Sequence, residues 1–111
     1  MALLDRSDVD FVDDENSAAR LYLELREQQA NPGLRPGQVT ETKAAINKLL
    51  RVWPEADDLA AELSDDDLGG LSPALKRRRD SHRKAKGVTA QDARKRRETR
   101  RKAAPAAKAP T

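Results

Sequence analysis

Opposite charges are segregated along this chain. Residues 1–70 carry 7 Lys/Arg against 16 Asp/Glu, and residues 71–111 carry 15 against 3. The formal net charge of +3 therefore conceals halves of −9 and +12. Dense like charge repels itself until counter-charge arrives, so the asymmetry predicts an acidic body joined to a basic arm that serves a polyanion. The composition shift places the boundary near Gly69-Gly70.

A chain of 111 residues with 37% charged and 3% aromatic side chains has room for one small core and no more. No cysteine and a single histidine exclude disulfide frameworks, zinc fingers and iron-sulfur sites. No apolar run approaches the roughly 18 to 20 residues that span a bilayer, and the first residues lack a signal peptide's basic and apolar regions. The expectation is a cytoplasmic or otherwise intracellular protein, with association to a virion as one variant and no membrane contact.

The periodicity is helical and no window alternates like a strand, which predicts an all-α fold with a body of three to four helices. Asp13 is placed to cap a helix whose apolar positions are Ala18, Leu21, Tyr22 and Leu25. Asn31-Pro32-Gly33 stops it. A second helix is expected from Thr40 as N-cap, with Ile46, Leu49, Leu50 and Trp53 on one face, ending before Pro54. Pro54 then opens a third, with Leu59, Ala60 and Leu63 continuing the stripe. Ser64 with Asp67, Ser72-Pro73, and Thr89 with Asp92 read as further caps. The organisation is an acidic N-terminal arm over 1–12, an acidic helical body over 13–70 and a basic, partly helical arm over 71–102. An Ala/Pro/Lys tail over 103–111 is expected to be disordered. The helix after Ala90 has no large apolar residue and is expected not to join a core.

The basic residues fall in two clusters. Lys76, Arg77, Arg78, Arg79, Arg83, Lys84 and Lys86 form the first, and Arg94, Lys95, Arg96, Arg97, Arg100, Arg101 and Lys102 the second. Only Asp80, Asp92 and Glu98 lie near them in sequence, so phosphate neutralisation is the natural source of stabilisation. The aromatics Phe11, Tyr22 and Trp53 all lie in the acidic half, which leaves no stacking platform for single strands and favours duplex DNA over RNA. One amide side chain, Gln91, in the basic half argues for binding the phosphate backbone without base readout.

Catalysis finds no support, since His82 sits in a charged stretch and no phosphate loop or nucleophile motif is present. Neither cofactor nor metal is expected: Asp65, Asp66 and Asp67 splay around a helix, and Asp8 to Glu15 lack the glycine of a calcium loop. Asp65 to Asp67 suit complementation of a helix dipole, and Asp8 to Glu15 suit folding back on the basic arm when nucleic acid is absent. The leading expectation is a non-enzymatic nucleic-acid-binding accessory protein. The alternative is an assembly protein, such as a bacteriophage packaging or head component, that oligomerises or docks on a larger protein. In that case Ile46, Leu49 and Trp53 form the partner interface and the basic arm is a tether.

Overall fold

The computed structural model describes residues 3–68 and 73–108, with side chains through residue 100. Six helices form, α1 (Arg6–Val9), α2 (Glu15–Gln29), α3 (Pro36–Val52), α4 (Ala56–Glu62), α5 (Pro73–Lys86) and α6 (Ala90–Lys108), and no strand occurs among the described residues. The fold is all-α, as the periodicity predicts.

Helix α2 begins one residue later than expected because Asp14, not Asp13, accepts from the Ser17 amide at 2.7 Å. Helix α3 begins four residues before Thr40. Pro36 supplies a preset φ at its first position, and Gln38 Oε1 caps the Arg35 amide at 2.9 Å. Thr40 therefore sits inside the helix, its hydroxyl donating to the Pro36 carbonyl at 3.1 Å. The helix ends at Val52, with Trp53 held out of the α region before Pro54. Helix α4 starts at Ala56, after a turn through Pro54 and Glu55. Ser64 and Asp67 do exchange reciprocal bonds at 3.0 and 3.1 Å, yet close only a turn. Gly69, Gly70, Leu71 and Ser72, where a boundary and a cap were expected, lie outside the described residues, as do 109–111.

The core is built from Leu21, Tyr22, Leu23 and Leu25 of α2, Ala45, Ile46 and Leu49 of α3, and Leu59, Ala60 and Leu63 around α4. Leu68 closes it. Ile46 and Leu49 are thus interior side chains, which corrects the expectation that they belong to a partner interface, while Trp53 packs partly buried against the core. A 3-4 apolar stripe is the same signal whether it faces another chain or its own core, and here the core takes it. Phe11, Val52 and Leu3 are the large apolar side chains left exposed among the described residues.

The described part of the N-terminal arm is not free either. Leu4, Val9 and Val12 pack on the core, Gln28 bonds both backbone groups of Leu4 at 2.8 and 2.9 Å, and Lys48 bridges to Asp10 at 2.9 Å. Arg6 pairs with Glu41 at 2.9 Å. These contacts fasten the segment to α2 and α3, so Asp10 meets a lysine of the body instead of folding onto the basic clusters.

Candidate nucleic-acid interface

Half of the predicted binding residues have work inside the fold. Helix α4 lacks a glycine after its last turn, so its terminal carbonyls need donors from elsewhere. Helix α5 supplies them. Arg83 donates from Nε to the Ala61 carbonyl at 2.7 Å and from Nη2 to that of Leu63 at 2.8 Å. Arg79, only 4% exposed, adds a bond to the Leu63 carbonyl at 3.2 Å and bridges Asp65 at 2.6 Å and Asp80 at 2.9 Å. Two guanidinium groups spaced i, i+4 thus cap a helix about one turn away in space. Burial, and then the neighbouring charge of Arg79, pull the Arg83 guanidinium below its ordinary pKa.

The same face of α5 carries His82 and Lys86. His82 Nε2 lies 2.8 Å from the Asp57 carbonyl and 2.9 Å from its Oδ1, so this nitrogen carries a proton and donates to both. Lys86 bridges Asp57 at 3.2 Å and Asp58 at 2.8 Å. Arg78 reaches Glu27 at 3.0 Å, and Lys76 reaches Asp65 at 3.5 Å. His82 is therefore a structural histidine, held between α4 and the Tyr22 ring 5.3 Å away.

Helix α5 ends where Gly87 takes φ 71°, a left-handed conformation that glycine adopts without strain. The Gly87 amide donates to Lys84 and the Val88 amide to Arg83, the Schellman pattern, and Val88 turns inward. Thr89 and Asp92 form the expected reciprocal cap of α6 at 3.0 and 3.2 Å. Contrary to expectation, α6 does dock. Ala93 and Val88 bury against Ala61 in a small second cluster, because alanines on both sides let the backbones approach closely. Arg100 then grips Glu62, itself nearly inaccessible, with Nε at 2.6 Å and Nη2 at 3.1 Å, and touches Glu55 at 3.3 Å. The carboxylates that meet the basic helices are thus mainly those of α4 and its flanks, with Glu15 near enough to raise the Arg100 pKa after the larger effects of Glu62 and Glu55.

What remains outward is a smaller set. Arg77, Lys84, Arg94, Lys95 and Arg96 are exposed, and none makes an ion pair within 4.0 Å among the described residues. Arg97 is half engaged, 4.0 Å from Asp67. Arg101 and Lys102 continue the helical backbone of α6, with side chains outside the described set. The sequence clusters therefore divide by engagement: one set of cations holds α5 and α6 to the body, and the other stays exposed without an ion pair, Arg96 lying near enough to Asp58 to help lower its pKa.

These pairs have a pH signature. The Lys86 hydrogen bond lowers the Asp58 pKa, and Arg79 lowers that of Asp65, so each carboxylate favours the folded state. A lowered folded pKa gives stability that is complete above the ordinary aspartate value of about 3.9 and lost as pH falls through the folded value. Glu24 opposes this in part, since burial raises its pKa and protonation suits the fold. The thermal midpoint should hold between about pH 7 and 5 and drop steeply below about pH 4. Melts followed by circular dichroism will check it, and a midpoint unchanged down to pH 2.5 would show that the pairs contribute nothing.

Among the described residues no group of three metal-ligating side chains is assembled, and no helix is long and apolar enough to cross a membrane. Comparison with family models, curated proteins and solved structures finds no match for this chain.

Proposed function

We propose that this protein is a non-enzymatic module that binds the phosphate backbone of nucleic acid, duplex DNA before RNA, largely without regard to sequence. The observation that supports this reading is the division of the cations. The body acids are engaged by the inward faces of α5 and α6, and Arg77, Lys84, Arg94, Lys95 and Arg96 keep their charge in solvent. Internal pairing thus leaves exposed cations on helices docked to the body, where the sequence predicts a basic, partly helical arm outside the core. Cations held on a scaffold lose less entropy on meeting a phosphate array than cations on a flexible chain.

If about five phosphates are neutralised, log affinity for a labelled duplex should fall with log salt at a slope of about −4.5. Fluorescence anisotropy across a salt series, on duplexes of different sequence, measures this. A slope near zero, or affinity confined to one sequence, would contradict backbone binding.

A second reading, docking on a protein partner, draws on Phe11 and Val52, which are 82% and 56% exposed. Val52 also lines a shallow recess with Trp53, Pro54 and Leu59, bordered by the carboxylates Glu15 and Glu55. Of the residues first expected to form an interface, Trp53 lines this recess, whereas Ile46 and Leu49 are buried in the core.

A further inference from the structure

Helices α2 and α5 run antiparallel, with Glu27 opposite Arg78 and Tyr22 opposite His82. Between them lies a groove of about 90 Å³, lined by Tyr22, Arg26, Arg78, Ser81, His82 and Ala85 together with Leu23. Ala85 is small, which keeps the groove open where a longer side chain would fill it. The polar atoms around it are mostly donors, and no carboxylate lines it. Arg78 spends its Nε edge on Glu27, and Arg26 spends Nη1 on the Gln29 side chain at 2.9 Å. The other terminal nitrogens of both guanidinium groups, the Ser81 hydroxyl and His82 Nδ1 make no hydrogen bond among the described residues.

We infer that this groove is a binding site for one phosphate group, held by Arg26 and Arg78 with the Ser81 hydroxyl as a further donor. Two guanidinium forks match the oxygen spacing of a phosphate and form charge-assisted bonds with it, which a halide or a neutral ligand cannot exploit. The volume suits a compact oxyanion and excludes a nucleobase. Ser81 lies four residues after Arg77 and three before Lys84 on the exposed side of α5, so a backbone that follows those cations passes the mouth of the groove. The identification of that phosphate as part of a nucleic acid rests on the function proposed above; the chemistry of the groove does not.

Two titrations test this separately. Inorganic phosphate added to the full ¹⁵N-labelled chain at constant ionic strength should give saturable shifts at the Arg26 and Arg78 Nε–Hε signals and at the Ser81 and His82 amides. Arg26→Ala should weaken phosphate by about tenfold and Ser81→Ala should weaken it less, both with an unchanged melting curve, since neither side chain is buried. Shifts that rise without saturation, spread over Arg94, Lys95 and Arg96, or survive Arg26→Ala overturn the site. In the second titration the same variants meet duplex DNA. A loss exceeding that of Arg94→Ala assigns the phosphate to the nucleic-acid backbone. Unchanged duplex affinity with saturable inorganic phosphate assigns the groove to a free phosphate and overturns its role as an anchor. Saturable phosphate with no duplex binding by the wild-type chain sinks the proposed function alone.

Discussion

Replacing Arg79 with methionine should lower stability by about 3 kcal/mol, a large share of what a domain of this size has to lose. Methionine retains much of the buried length, so the change removes charge and hydrogen bonding with little loss of packing. What disappears is a donor to the Leu63 carbonyl and the ion pairs with Asp65 and Asp80. Both carboxylates are largely exposed and can rehydrate, and Arg83 still reaches Leu63, which holds the loss below the upper range for a broken buried pair. Urea titration of the two proteins measures it. A free arm would predict no change at all, because substituting a solvated arginine leaves the folded state as it was.

Leu49→Ala should cost about 3 to 5 kcal/mol and exceed Trp53→Ala. The sequence favours the tryptophan, which is larger and stands at the corner of two helices. In the structure Leu49 is fully buried between elements, whereas Trp53 keeps part of its ring in solvent and its indole Nε1 is buried with no acceptor. Truncating Trp53 removes an unsatisfied donor together with its apolar contacts, and the first effect offsets part of the second. Equilibrium denaturation of both variants ranks them, and a larger loss for Trp53→Ala would show that its contacts outweigh the exposed area.

The apolar stripes of α2 and α3 were legible because a 3-4 spacing of large side chains marks a face that something must cover, whether the core or a partner. Boundaries were less so. Pro36-Gly37 reads as a loop by composition, yet proline at the first helical position starts α3. The basic clusters concealed the most. Their partners Asp57, Glu62 and Asp65 lie 14 to 38 residues away, and pairing at that separation is a tertiary fact that local charge counts do not contain. Two signals did exist: donors repeat at i, i+4 as Arg79/Arg83 and His82/Lys86, and α4 ends without a capping glycine. For α6, the absence of large apolar residues pointed away from packing, but Ala93 against Ala61 shows that small residues dock a helix through close approach.

The division of the cations into engaged and exposed sets is the central claim, and one variant tests it. Arg77, Lys84, Arg94, Lys95 and Arg96 are changed together to glutamine, and duplex DNA affinity is followed across a salt series beside the thermal midpoint. The account predicts that the salt slope loses most of its value of about −4.5 while the midpoint stays within a few degrees of the wild type. Unaltered affinity and slope in a protein that still melts normally would contradict it, because the exposed cations of α5 and α6 would then not be where phosphate is held.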